Sequence, residues 1–545
     1  MNSALLEVEG LHIALPPGGD RSHALFDVSL ALQAGETLCV VGESGSGKSM
    51  LANAILRLLP PALAPRQGRV RFRGEDIAAL DRQGLRQLRG VGIGMVFQEP
   101  MSALNPLLRV GVQIGETLRA HGMKRAGERR RRVIELLGYV GLPAPEQLRR
   151  RFPFQLSGGQ RQRVAIAMAL AFSPAVLIAD EPTSALDVTT QAQILQLLQR
   201  IQRETGMAML FITHDLALVQ TIADRVLVLQ KGQVVEQGAA QAVLGAPAQA
   251  YTRRLLAAAL PAANPRPSPA DAQVVLGAQG LNKTYSSRHG GWRWQHTAAL
   301  VDVSMALRHG QTVGVVGESG SGKSTLGKAL VRLLRPDSGH IQWQGSEVAE
   351  WPQRRLRPLR RRVQMIFQDP VASLNPRQTV AAILMAGPVA HGATPAQARA
   401  RAELVLGWVG LPAAALERYP QAFSGGQRQR IGIARALSVA PDVLIADECV
   451  SALDALVQAQ ILDLLETLQQ RLGLSIVFIT HDLRAAARLC DHLLVMQHGR
   501  VVEQGASAAL LRHPSHAYTR TLLASLPGPG LVESRELPPA QQEAR

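Results

Sequence analysis

Two stretches of this chain, Gly42–Ser49 and Gly317–Ser324, read GESGSGKS. The residue types suit phosphate binding. Gly42, Gly45 and Gly47, with Gly317, Gly320 and Gly322, let successive backbone N–H groups converge on phosphate oxygens. A helix starting at the end of each loop would add partial positive charge there. Lys48 and Lys323 are long enough to reach the β- and γ-phosphates of a nucleotide, and the Ser49 and Ser324 hydroxyls suit Mg²⁺. Positioning such a loop takes a buried strand before it and a helix after it. Thr37–Val41 and Thr312–Val316 are short apolar runs of the strand kind, and 47–59 has helical spacing.

Further acidic and polar groups recur downstream of each loop. VLIA at 176–179 and again at 443–446 runs into Asp-Glu. A buried strand ending in two carboxylates places both at its C-terminal edge, where ligands bind in open α/β sheets. Asp180 and Asp447 are the expected Mg²⁺ partners, and Glu181 and Glu448 the expected polarisers of an attacking water. Strand ends often turn into acidic loops, so the weight lies in the recurrence after each glycine-rich loop. His214 and His481 each end a β-rich run and are placed to contact a γ-phosphate. Gln98 in VFQEP and Gln368 in IFQDP are placed to reach metal and water.

The whole layout is duplicated. SGGQRQR occurs at 157–163 and 424–430, SALD at 184–187 and 451–454, and FITHDL at 211–216 and 478–483. A repeat this long is a duplicated domain; a solenoid repeats every ~20–50 residues. The reading is two domains, 1–259 and 274–526, joined by a Pro/Ala-rich linker at 260–273 and followed by a polar tail, 527–545, expected to be disordered. The composition, 46% apolar and 19% charged over 545 residues, supports two cores. No stretch approaches the ~20 apolar residues of a membrane span, and the start lacks a signal-peptide pattern, so a soluble, cytosolic chain is expected. The net charge of +17 fits an anionic neighbour, yet the arginine runs at 129–132 and 354–362 carry no interleaved aromatics for stacking bases. They read as solvated faces, and no nucleic-acid partner is expected. Cys39, Cys449 and Cys490 have neither disulfide nor zinc spacing, and Cys39 reads as a small buried hydrophobe.

With glycine-rich loop, glutamine, SGGQ, acidic strand end, SALD and histidine in this order, each half resembles the ATPase of an ABC transporter. The resemblance covers nearly all of the chain outside linker and tail, and SGGQ is its most specific element. It implies an α/β fold of two tandem P-loop nucleotide-binding domains, each with a parallel α/β core, an antiparallel β subdomain and a helical subdomain. It also implies that Ser157, Gly158, Gly159 and Gln160, and likewise Ser424, Gly425, Gly426 and Gln427, offer donors to a γ-phosphate. In this family they act in trans, so Lys48's loop would work with Ser424–Gln427 and Lys323's loop with Ser157–Gln160. Tyr285 falls where an adenine-stacking aromatic is expected, and Leu15 holds the matching place in the first half.

FQEPMSALNP, FQDPVASLNP, QILQLL, AYTRRLL and AYTRTLL add a finer resemblance, to dipeptide and oligopeptide importers, which include fused two-module forms of the microcin C type. That resemblance implies ATP and Mg²⁺, two membrane permease subunits and an extracytoplasmic substrate-binding protein, with the chain on the cytoplasmic face of the bacterial inner membrane. Residues after each glutamine loop would receive a permease coupling helix. Many single-module relatives carry cysteines after the AYT segment that can hold an iron–sulfur cluster; none follows in the segments after Tyr251 or Tyr518, so no cluster is expected. The usual Pro-Thr after the second acidic pair is Cys449–Val450. The main alternative, a soluble tandem ATPase acting on ribosomes, calls for a long charged helical linker, which 260–273 is not. DNA-repair and chromosome-structuring ATPases call for zinc clusters or a long coiled coil, and the sequence has neither.

Overall fold

The computed structural model describes residues 4–16, 21–98, 103–184, 186–259, 272–289, 293–451 and 453–526. Most of the linker, the tail after residue 526 and part of the FQEPMSALNP stretch lie outside them. The chain divides into two compact units that meet in sequence after Ala259.

In the first unit a six-stranded sheet runs in the order Gln233–Ala239, Arg225–Gln230, Thr37–Val41, Ala208–Ile212, Val176–Asp180, Ile93–Val96. All neighbours are parallel except the Gln233–Ala239 edge. Thr37–Val41, Val176–Asp180 and Ala208–Ile212 are buried along their whole length, which is why they read as continuous apolar runs without alternation. A second, antiparallel sheet pairs Leu6–Ala14 with His23–Leu32 on one side and Gln67–Phe72 on the other. Leu6, Val8, Leu11 and Ile13 alternate into its core, and the residues between them face outward.

Val110–Ala120 and Ala126–Tyr139 form the helical part between Gln98 and the SGGQ segment. The helix after the first glycine-rich loop is Lys48–Ile55. It is shorter than the spacing over 47–59 suggests, because Arg57 takes a left-handed φ of 51° and ends it.

The second unit repeats this plan. Its main sheet runs Val363–Ile366, Val443–Asp447, Ser475–Ile479, Thr312–Val316, His492–Gln497, Arg500–Ala506. Its antiparallel sheet is built on a longer hairpin, Val274–His289 with Arg293–Arg308. Val380–Ala390 and Pro395–Trp408 are the helical part. Cys39, Cys449 and Cys490 are all buried. In the basic run at 129–132, Arg130 pairs with Glu146 and Arg129 donates to the Met123 carbonyl. Arg355, in the second run, lies over the Trp351 ring. Among the described residues no helix is long and apolar enough to cross a membrane.

Candidate nucleotide site

Each glycine-rich loop leaves the end of a central strand and enters a helix whose first residue is the lysine. Gly42 has φ 151°, and a Cβ there would sit 2.1 Å from the Leu229 carbonyl oxygen; at Gly317, φ 148°, the matching distance is 2.2 Å to Met496. Only glycine fits so close to a neighbouring backbone. The Lys48 ammonium is buried and donates to the Gly42 and Glu43 carbonyls at 2.7 and 2.8 Å. Lys323 does the same to Gly317 and Glu318 at 2.8 Å each. Burial pushes the Lys48 pKa below the usual lysine value, and the Glu181 carboxylate opposes the shift.

The two carboxylates after each core strand behave differently. Burial lifts Asp180 to about 6 against a hydrogen bond from Ser49, and raises Asp447 likewise against one from Ser324. Ser324 Oγ lies 2.9 Å from Asp447 Oδ1. Asp180 Oδ1 is buried without a hydrogen-bond partner, as are Ser46 Oγ and Ser321 Oγ inside the loops. A cation beside the serine and aspartate would relieve the unfavourable burial of that charge, so this donor set fits Mg²⁺.

Glu181 and Glu448 are held from both sides. Gln98 Nε2 donates to Glu181 Oε2 at 3.0 Å, and His214 Nδ1 lies 3.2 Å from Oε1. In the second unit the distances are 2.7 Å from Gln368 and 3.6 Å from His481. Burial alone would raise the pKa of both glutamates. The histidine and the loop lysine together outweigh it in each case, and both carboxyls sit below their usual range. Burial would correspondingly lower the two histidines, but each glutamate holds its partner above the usual value. Both glutamates carry φ 46°, a left-handed conformation costly for a non-glycine residue and concentrated at functional sites.

SGGQ folds as a reciprocal helix cap. Ser157 Oγ accepts from Gln160 N at 3.3 Å while Gln160 Oε1 accepts from Ser157 N at 3.2 Å. Ser424 and Gln427 repeat the pair at 3.3 and 3.0 Å. The cap leaves the glycine N–H groups as the first-turn donors, those of Gly158 and Gly159 in one unit and Gly425 and Gly426 in the other. A Cβ on Gly159 would meet Thr190 at 2.4 Å, and one on Gly426 would meet Val457 at 2.4 Å. The glycines therefore also admit the helix that follows SALD.

The structure thus gathers loop lysine, serine, aspartate, glutamate, glutamine and histidine at one sheet edge in each unit, as the sequence order suggests. Tyr285 lies on the antiparallel sheet, 44% exposed. Leu15 is half-buried and packs on the core of that subdomain. Two sets of contacts were not visible in the sequence. Ser184 Oγ donates to the Gln98 and Glu181 carbonyls at 3.1 and 3.0 Å, and Ser451 Oγ to the Glu448 carbonyl at 2.9 Å. Tyr251 and Tyr518 hold the glycine-rich loops. Their place in the repeated AYT segment was visible, but not what they touch.

A parallel core with a phosphate loop, an acidic strand end and a gripped glutamate defines a P-loop ATPase, and the capped SGGQ helix defines which kind. The chain matches the ABC transporter family over residues 25–184 and 300–451 and belongs to it. Residues 502–544 match the C-terminal region of oligopeptide/dipeptide transporters. It is 48% identical to the peptidoglycan transport ATP-binding protein YejF of Agrobacterium fabrum, over 96% of both chains. It is 45% identical to the ABC transporter ATP-binding protein YejF of Escherichia coli K12, over 96% of this chain and all 100% of that one. It is 44% identical to the glutathione import ATP-binding protein GsiA of Salmonella choleraesuis, over 96% of this chain and 89% of that one. The protein is therefore a fused two-module ATP-binding subunit of an ABC transporter, an ATPase that works with membrane components. The ribosome-acting alternative finds no support among these matches.

Proposed function

We propose that this chain hydrolyses Mg²⁺-ATP to drive uptake of peptides or peptide-containing small molecules. It would sit on the cytoplasmic face of the membrane with two permease subunits and an extracytoplasmic substrate-binding protein. The peptide class rests on the match at residues 502–544 and on relatives named for peptidoglycan transport and glutathione import.

In each unit the glycine-rich loop binds the phosphates. Lys48 and Lys323, held at the loop carbonyls, donate to β- and γ-phosphate oxygens. Ser49, Asp180 and Gln98, with Ser324, Asp447 and Gln368 in the second unit, would hold Mg²⁺. When bound, that ion neutralises charge between the β- and γ-phosphates. The donors at Ser157–Gln160 and Ser424–Gln427 serve the γ-phosphate. His214 and His481 keep Glu181 and Glu448 ionised and aimed, so that each accepts a hydrogen bond from the attacking water.

The observation that carries this reading is the grip on Glu181 and Glu448 by a glutamine on one oxygen and a histidine on the other. Glu181→Gln with Glu448→Gln keeps the shape and removes the charge. We expect ATP turnover to fall by ~10²–10⁴-fold with ATP still bound. Near-normal turnover in the double variant would remove both glutamates from the mechanism.

A further inference from the structure

Each glycine-rich loop is held from behind by a tyrosine that lies far along the chain. Glu43 N–H donates to the Tyr251 hydroxyl at 3.2 Å across 208 residues, and Glu318 N–H donates to the Tyr518 hydroxyl at 2.9 Å across 200. Both tyrosines are buried, at 4% and 8% exposure. They sit in the helices Ala250–Ala259 and Ala517–Ala524, late in their units. The Glu43 N–H belongs to the same peptide unit as the Gly42 carbonyl, and that carbonyl accepts from Lys48 Nζ at 2.7 Å. A single peptide plane is thus gripped on its N–H side by tyrosine and on its C=O side by the lysine. Gly317–Glu318 is gripped in the same way by Tyr518 and Lys323.

The plane needs holding. Gly42 and Gly317 carry φ of 151° and 148°, where glycine tolerates several ψ values and a peptide flip is cheap. A flip would turn the carbonyl away from the lysine and break the N–H bond to the tyrosine hydroxyl. The tyrosine helices are themselves anchored. Glu236 accepts from the N–H groups of Ala248 and Gln249 at 2.8 and 3.2 Å and from Thr252 Oγ1 at 2.5 Å. Glu503 accepts from the N–H and Oγ of Ser515 at 2.7 Å each and from His516 N–H at 3.2 Å.

We infer that Tyr251 and Tyr518 are positioning residues for nucleotide binding: each hydroxyl fixes the second peptide plane of its glycine-rich loop and so sets the lysine for the phosphates. The inference rests on the reading that these loops bind phosphate. It assigns a task to the C-terminal region of each unit, the second of which begins within the oligopeptide/dipeptide match.

The experiment uses the full chain with Tyr251→Phe, Tyr518→Phe and both together. Phenylalanine keeps the buried ring and removes the hydroxyl, and with it the bond from the loop N–H. Losing one such bond should raise the KM for ATP by about 2- to 10-fold at the affected site, with the change carried by KM rather than kcat. ATP and GTP should be affected equally, because the latch acts on the phosphate loop and not on the base. Tyr251→Leu and Tyr518→Leu should add a loss of melting temperature that the phenylalanine variants lack. An unchanged KM in the folded double phenylalanine variant overturns the inference, as does a fall in melting temperature with no change in KM. Lys48→Ala with Lys323→Ala separates the two levels. If that variant keeps full nucleotide affinity, the phosphate-loop reading itself fails; if it loses affinity while the phenylalanine variants do not, only the latch fails.

Discussion

The strand that feeds the phosphate loop carries Cys39 in the first unit and Gly314 in the second, and the contrast shows how the two copies have diverged. Cys39 pairs in register with Val226 on the neighbouring strand, and Gly314 with Leu493. A Cβ on Gly314 would lie 2.7 Å from Cys490 Sγ and 2.5 Å from Leu493 Cδ2. Cys490 caps the helix Leu483–Leu489; the residue in that place in the first unit is Ala223, after Leu216–Ile222. Where the strand carries the thiol, in the first unit, the helix ends in alanine; where the strand carries glycine, in the second, the helix end supplies the thiol. The contacts of the gripped glutamates agree between the units to within a few tenths of an ångström. Packing has been conserved as volume, and chemistry as geometry.

The largest effect tests that exchange. Gly314→Cys alone should destabilise the second unit by about 1–3 kcal/mol through overpacking. Adding Cys490→Ala and Leu493→Val rebuilds the first unit's set of Cys39, Ala223 and Val226 and should recover most of the loss. Thermal unfolding of the three variants reads this directly. A neutral Gly314→Cys, or a triple variant no more stable than the single, breaks the comparison. Contacting residues should show coupling well above the ~0.3–0.5 kcal/mol within which independent sites add.

Much of the site was legible because its pieces are contiguous. The GESGSGKS loops, the Asp-Glu strand ends and SGGQ each place their donors within one turn or strand, so spacing alone dictates where they point. The strands of the parallel core were legible as apolar runs. What spacing could not show was contact across long separations. Tyr251 meets Glu43 only because the sheet order brings the late helix behind the first loop. Ser184 ties the Gln98 carbonyl to the Glu181 carbonyl only because the strands they follow, Ile93–Val96 and Val176–Asp180, are neighbours. The end of the Lys48 helix was misjudged because Leu58 and Leu59 continue the apolar run after Arg57 has already turned left-handed.

A smaller effect compares the anchors of the two tyrosine helices. Burial would raise the Glu503 pKa, yet the hydroxyls of Thr519 and Ser515 and the N–H groups of Ser515 and His516 outweigh it and hold the carboxyl at about 2, against an ordinary value of 4.5. Glu236 is lowered too, with Thr252, Ala248 and Gln249 as donors. A depressed folded-state pKa contributes stability that is present above the unfolded value and lost as pH falls through the folded one. Glu503→Gln should therefore destabilise the second unit by about 1.5 kcal/mol at pH 7, the scale of a charge-assisted hydrogen bond. The deficit relative to wild type should shrink between pH 5 and pH 3 as the wild-type carboxylate begins to lose its advantage. A deficit that stays constant with pH would mean that the charge of Glu503 plays no part in the anchor.

The smallest effect concerns the base. Tyr285 stands on Val274–His289 opposite Thr297 and is 44% exposed. Leu15 follows the strand Leu6–Ala14, donates its N–H to Ser22 at 2.8 Å and turns its side chain into the subdomain core. Aromatic stacking on a base is worth ~1–3 kcal/mol by alanine substitution. An exposed ring, already hydrated, belongs at the low end, so Tyr285→Leu should weaken ATP at the Lys323 site by about fivefold, or about 1 kcal/mol. The Lys48 site should be unmoved. Tripolyphosphate, which has the phosphates but no base, should bind the Tyr285→Leu chain as well as wild type. That control sets stacking apart from the tyrosine latch, whose loss should weaken both ligands alike. Leu15→Tyr should raise ATP affinity at the first site if backbone position alone decides stacking. Equal affinities at the two wild-type sites, together with no change in Tyr285→Leu, would show that adenine is held by other groups and that the two copies read the base identically.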